Sequence, residues 1–215
     1  HTRCSRDWSS DVCSSDLPGG LGVLMSVLLD PPKACRRPAI LTSWMAVSVA
    51  RVVEEIIGGP VAIKWPNDVL VNGRKIAGIL VEQRRGTVVG VGLNVLQTAD
   101  HFAALKLPTA TSLACLVTHP PGVASVAEQL LDAMDLDWGD LERGEGGGVE
   151  RRWRDGLGLL GRPVRMVAQG VSTLGRLERL GWDGLSIRLE NGHLLGFMPE
   201  EVSALAGLDG VVPLE

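Results

Sequence analysis

The groups best suited to phosphate chemistry sit in one stretch, Lys64-Trp65-Pro66-Asn67-Asp68-Val69-Leu70-Val71-Asn72-Gly73-Arg74-Lys75-Ile76-Ala77-Gly78-Ile79-Leu80-Val81-Glu82. Asn72-Gly73 suits a type I′ hairpin turn, which needs positive φ at both central positions. A two-residue loop there pairs Val71 with Arg74, Leu70 with Lys75, and Asp68 with Ala77. Opposed residues share a sheet face, and so do residues two apart. Asp68 and Lys75 therefore become diagonal neighbours, with Cβ atoms roughly 7 Å apart. An acid and a lysine so placed could hold a metal-bound phosphate between them. They could equally form a surface ion pair beside a turn, and spacing alone leaves both readings open. Gly78 leaves bare backbone on the same strand, where a ligand can approach closely.

The flanking sequence supplies the elements that must position these groups. Residues 21–29 read as a buried strand, closed by Asp30-Pro31-Pro32. Residues 38–57 read as a largely buried helix, with Glu54 and Glu55 on its polar side and Gly58-Gly59-Pro60 as its stop. Short strands are expected at 61–64, 69–71, 75–82 and 87–95. Helices are expected at 123–137 and 149–153, separated by a flexible connection at 144–148. After Gly161 the pattern changes to short strands at 163–167, 174–180, 185–189 and 194–198. Gly170, Gly181, Gly184 and Asn191-Gly192 separate them, as in a small barrel. The expected fold class is α+β: a mixed β-sheet packed by helices, followed by a small β-barrel. The boundaries are 18–160 for the first unit and 161–215 for the second.

Composition narrows the function. With 215 residues and a net charge of -4, a broadly basic nucleic-acid surface is not expected. The uncharged run 107–127 is broken by Pro108, Pro120, Pro121 and Gly122, and 38–50 is too short to cross a bilayer, so no membrane span is expected. Cys4, Cys13, Cys35 and Cys115 show neither zinc spacing nor a disulfide framework, and no leader pattern opens the chain, so free cytoplasmic thiols are expected. Gly90-Val91-Gly92 lacks the third glycine of a dinucleotide fingerprint, and residues 144–148 lack the Lys-Ser/Thr of a P-loop.

The segment Lys64-Trp65-Pro66-Asn67-Asp68 followed by Gly73-Arg74-Lys75-Ile76-Ala77-Gly78-Ile79-Leu80-Val81-Glu82 resembles the signature of biotin protein ligases (biotin–[acetyl-CoA-carboxylase] ligases). Gly90-Val91-Gly92-Leu93-Asn94-Val95 and Thr111-Ser112-Leu113 resemble that family's next motifs, and the strand after Pro18-Gly19-Gly20 fits as well. The resemblance spans about residues 18–205. It implies an incomplete class II synthetase/biotin ligase-like sheet followed by an SH3-like barrel. The implied reaction takes biotin and MgATP to biotinyl-5′-adenylate and pyrophosphate. The biotinyl group then passes to a lysine of a biotin carboxyl carrier protein or domain. On that reading Lys75 is the catalytic residue, binding the biotin carboxylate and the α-phosphate. Asp68 would help hold Mg²⁺. Lys64 and Asn67 would serve the nucleotide and its phosphates. Gly78 would present backbone to the biotin rings, and Asn94 would hydrogen-bond adenine.

The family's Gly/Arg-rich loop, which closes over biotin and the adenylate, has no counterpart ahead of Pro18. Residues 1–17 are rich in serine and aspartate, resemble translated sequencing-adapter sequence, and are expected to be non-native. The chain as written is therefore expected to be an N-terminally truncated ligase that does not ligate biotin. The competing readings are a lipoate or octanoate ligase or transferase of the related superfamily, and a non-catalytic carrier-binding module. DNA is an expected partner only if a winged-helix repressor domain precedes the segment. The resemblance is also compatible with a homodimer, and with a cytoplasmic location.

Overall fold

A computed structural model of the chain describes residues 19–208, so the expectations for residues 1–17, including Cys4 and Cys13, lie outside the described residues. The described residues form two antiparallel sheets and four α-helices. The first sheet has the order β1-β5-β4-β3-β2, from β1 (Gly22–Leu29), β2 (Ala62–Lys64), β3 (Asp68–Val71), β4 (Arg74–Gln83) and β5 (Thr87–Asn94). The α+β class read from the sequence is the one observed, and every pair of its strands is antiparallel.

Helix α1 (Pro38–Ile57) begins with proline at its first position, where the missing N–H costs no bond, and ends on Gly58 in the left-handed conformation. Most of its circumference is buried, including Leu41, Trp44, Met45, Val49 and Val53. One side covers Val69, Ile76, Ile79, Val91 and Leu93 of the sheet, and the other meets α3 (Val123–Glu142) and α4 (Gly147–Leu157). The Trp44 indole N–H donates to the Met134 carbonyl at 3.1 Å, which satisfies the polar tip of a buried ring.

Strand β1 is not buried as expected. Leu24 is 62% and Leu28 75% exposed, because β1 ends the order of the described strands and its alternate residues face outward. The connection at 144–148 is also shorter than expected. Helix α4 already starts at Gly147, and a Cβ on Gly146 would lie 2.7 Å from Leu141 and 3.0 Å from Trp182, so glycine there serves close packing. The sequence reading missed helix α2 (Ala99–Ala104) and the last strand, β10 (Val202–Gly207).

The second sheet comprises β6 (Pro163–Ala168), β7 (Val171–Gly181), β8 (Gly184–Arg188), β9 (Leu194–Phe197) and β10, in the order β10-β6-β7-β8-β9. A 3₁₀ turn, Pro199–Glu201, carries the chain from β9 to β10 at the opposite end of that order. Gln169 and Gly170 both have positive φ, which forms the tight β6–β7 turn. This unit is fastened to the first. Trp65 packs against Trp153, with ring centroids 5.9 Å apart and the planes tilted by 44°, and donates to the Val202 carbonyl at 2.9 Å. Arg37 grips both oxygens of Glu200, at 3.1 and 2.7 Å, and the Trp182 indole N–H donates to Ser43 Oγ at 2.8 Å.

Cys35 and Cys115 are free thiols, and no helix among the described residues is long and apolar enough to cross a membrane. Burial, and after it the nearby Glu142 carboxylate, raise the Cys35 thiol above its ordinary value. Cys115 is exposed. At pH 8 iodoacetamide should therefore alkylate Cys115 at least about tenfold faster than Cys35, since the thiolate is the reacting species. Peptide mapping by mass spectrometry reads both rates, and equal rates would contradict the burial assigned to Cys35.

Candidate active site

The hairpin forms where the sequence places it, with Asn72 at φ 52° and Gly73 at φ 73°. Val71 pairs with Arg74 and Leu70 with Lys75, as expected, but the register then slips. Val69 meets Ala77, and Asp68 meets Gly78 instead of Ala77. The cause lies in the apolar spacing. Ile76 and Ile79 are three apart, so a regular strand would point one of them into solvent. A β-bulge absorbs the extra residue, and Ile76, Ala77 and Ile79 are all buried.

The slip builds the site. It brings Gly78 onto the face that carries Asp68 and Lys75. The Lys75 ammonium lies 2.6 Å from Asp68 Oδ1, with the side chains 23% and 16% exposed. A Cβ on Gly78 would stand 3.2 Å from Lys75 Cε and Nζ and 3.7 Å from Asp68 Oδ1, so an alanine there would make the lysine's tip give way by a few tenths of an ångström. Direct strand partners continue the row across the sheet: Lys64 opposes Asp68, Asp68 opposes Gly78, Gly78 opposes Gly92, and Gly92 opposes Leu24. The next row is Leu80, Gly90 and Ser26. This outer face is thus floored by glycine, walled by exposed leucines, and charged at the β2–β4 end. The face thus sets exposed apolar area beside a lysine–carboxylate pair.

Four of the expected residues, Lys64, Asp68, Lys75 and Gly78, meet on this face. Lys64 is exposed beside the pair. Asn67 donates from Nδ2 to the Ile79 carbonyl at 2.7 Å, while the Ile79 N–H donates to the Asn67 carbonyl at 2.9 Å. Its side chain thus holds the turn against β4 beside the bulge. Asn94 lies at the end of β5, opposite Gly22, and donates from Nδ2 to the Thr111 carbonyl at 2.9 Å.

The sequence reading did not find Leu24, Ser26, Leu80, Gly90 and Gly92 as parts of the site. The alternation Gly90-Val91-Gly92-Leu93-Asn94 carries the signal, since period 2 places both glycines and Asn94 on one face. It also gave no role to residues 109–111, which run beside Lys75 and form an isolated parallel bridge at Ala110.

Residues 17–97 match the Biotin/lipoate A/B protein ligase family. The bifunctional ligase/repressor BirA of Bacillus subtilis is 36% identical over 135 residues, which is 60% of this chain and 39% of that protein. The biotin–[acetyl-CoA-carboxylase] ligase of Mycobacterium tuberculosis is 35% identical over 112 residues, 47% of this chain and 41% of that protein. The chain thus spans about two fifths of the length of these relatives. Among solved structures, a mutant biotin protein ligase from Aquifex aeolicus, in complex with biotin, superimposes with a TM-score of 0.73 at 25% identity, covering 87% of this chain and 78% of that one. On its motifs, its fold and these matches, the chain is similar to biotin protein ligases, and residues 17–97 carry the match to the Biotin/lipoate A/B protein ligase family.

Proposed function

We propose that the outer face of the first sheet binds biotin and ATP and forms biotinyl-5′-adenylate, for transfer to a lysine of a biotin carboxyl carrier domain. The observation that carries this reading is the Lys75–Asp68 pair seated over Gly78, at the charged end of a glycine-floored, leucine-walled face. The apolar, glycine-lined part suits the flat ureido and thiophane rings. The ammonium at its end suits the biotin carboxylate and the α-phosphate.

The chemistry follows from that placement. The biotin carboxylate oxygen attacks the α-phosphorus and pyrophosphate leaves. The carrier lysine then attacks the acyl carbon and AMP leaves. Lys75 would neutralise the negative charge that builds up in the first step, held in place by its contact with Asp68. Asn94 would accept a hydrogen bond from the adenine amine through Oδ1, because its Nδ2 is committed to Thr111. Asp68 offers one hard oxygen to Mg²⁺. Among the described residues no cluster of three acidic or other ligating side chains stands ready for a metal. That fits an ion carried mainly by the nucleotide's phosphates, as Mg²⁺ commonly is.

A biotin carrier domain, biotin and MgATP test the reading when residues 18–215 are placed behind the Gly/Arg-rich loop of a relative. Streptavidin blotting should show the carrier labelled only when all components are present. Labelling with lipoate or octanoate in place of biotin would move the assignment to that branch of the family. Carrier binding without any labelling would make the chain a non-catalytic carrier-binding module. Residues 1–215 as written should label the carrier far more slowly, because residues 7–17 contain three aspartates and no arginine to neutralise phosphate. Gly78→Ala, which pushes Lys75 aside, should weaken biotinyl-adenylate binding about 10–100-fold, the scale on which small misplacements act. Titration calorimetry reads that loss, and unchanged affinity would remove Gly78 from the site.

A further inference from the structure

We propose that Asn94 is a positioning residue for Lys75, acting through the peptide of Thr111. The inference rests on the reading of Lys75 as the phosphate-facing charge. Strand β5 ends at Asn94, so β4 loses its neighbour on that side just where Lys75 lies. Residues 109–111 take its place. The Lys75 N–H donates to the Thr109 carbonyl at 2.7 Å, and the Thr111 N–H donates to the Lys75 carbonyl at 2.8 Å. The Thr111 carbonyl is the acceptor of the Asn94 amide at 2.9 Å. One peptide unit's neighbours thus join the last residue of β5 to the backbone of Lys75.

The segment is anchored beyond that point as well. Thr111 and Ser112 are both buried, and Ser112 Oγ donates to the Gln97 carbonyl at 2.5 Å. The Ala114 N–H donates to the Val95 carbonyl at 2.8 Å. Before it, Arg74 reaches the Pro108 carbonyl at 3.1 Å. These anchors hold the chain on either side of the segment, and Asn94 holds the Thr111 carbonyl, next to the contact with Lys75. Lys75 needs that hold because the bulge that follows it weakens its pairing to β3. The Thr111-Ser112-Leu113 motif thereby acquires a part in the site, as the brace of the lysine's backbone.

The test uses residues 1–215 without ligand. Asn94→Asp keeps the side-chain volume but, when ionised, cannot donate to a carbonyl. Asn94→Ser shortens the side chain and guards against a failure specific to the added charge. In both variants, amide hydrogen exchange at Lys75 and Thr111 should speed up about tenfold, with Met166 in the second sheet unchanged. Acetylation of Lys75 by acetic anhydride should rise relative to Lys64 in Asn94→Ser. A residue that only touches adenine moves neither readout in the absence of ligand, and a merely structural one speeds exchange at Met166 too. Unchanged protection at Lys75 and Thr111 would overturn the inference. Biotinyl-5′-adenylate binding by the unsubstituted chain is measured alongside. Its absence would strike the proposed function, while the exchange data would still decide whether Asn94 holds Lys75.

Discussion

Lys75→Ala should suppress biotinyl-adenylate formation about 100–1000-fold, the usual cost of losing a group that stabilises charge in the transition state. The measurement is biotin-dependent pyrophosphate release by residues 18–215 joined to a relative's Gly/Arg-rich loop. Lys64→Ala should cost less. Both lysines lie on the same face, but Lys64 is exposed, whereas Lys75 is fixed 2.6 Å from Asp68 and braced on its backbone by residues 109–111. A fixed charge loses little freedom when the reaction reaches its charged state; a solvated one must give up both motion and water. Lys75→Arg should not restore full rate, because the longer planar guanidinium meets the space over Gly78 differently from a point charge. Equal and mild losses for Lys64→Ala and Lys75→Ala would remove Lys75 from its central place.

Trp65→Ala should lower the free energy of unfolding by about 3–5 kcal/mol, the range for truncating a buried large aromatic ring. Trp65 lies in the same motif as Lys64, Asn67 and Asp68 but points the other way. It is 7% exposed, packs on Trp153, and donates to the Val202 carbonyl in the second sheet. Removing it opens a cavity at the joint and leaves that carbonyl without its donor. Trp65→Phe keeps most of the ring and loses the hydrogen bond, so about 1–2 kcal/mol is expected. Urea unfolding with tryptophan fluorescence and circular dichroism gives both values. A loss below about 1 kcal/mol for Trp65→Ala would mean that the two units do not share this part of the core.

Local chemistry made much of the fold legible. Helix α1 was readable over its full length, because Pro38 opens it, Gly58 closes it and the residues between are apolar. The Asn72-Gly73 turn was readable because so few dipeptides accept positive φ at two successive positions. Four strands of the second sheet could be placed from their turns, while β10 could not, since Val202–Gly207 is short and follows a 3₁₀ turn that no glycine marks. Proximity of Lys75 and Asp68 followed from the hairpin. The presence of Gly78 beside them did not, because it depends on a bulge set by the burial of Ile76 and Ile79 together. The brace from residues 109–111 was beyond local rules altogether. It joins positions more than thirty residues apart, Lys75 and Thr109, through backbone bonds that carry no side-chain signature.

The central claim is that the outer face of the first sheet is a biotinyl-adenylate site with Lys75 at its charged end. Isothermal titration of biotinyl-5′-adenylate into residues 1–215 tests it most directly, since binding does not depend on turnover. The account predicts saturable one-to-one binding, at least about tenfold weaker with Lys75→Ala, where a charge-assisted contact is lost, and at least about tenfold weaker for lipoyl-5′-adenylate. Absence of binding, tighter binding of the lipoyl compound, or an affinity indifferent to Lys75→Ala would contradict it.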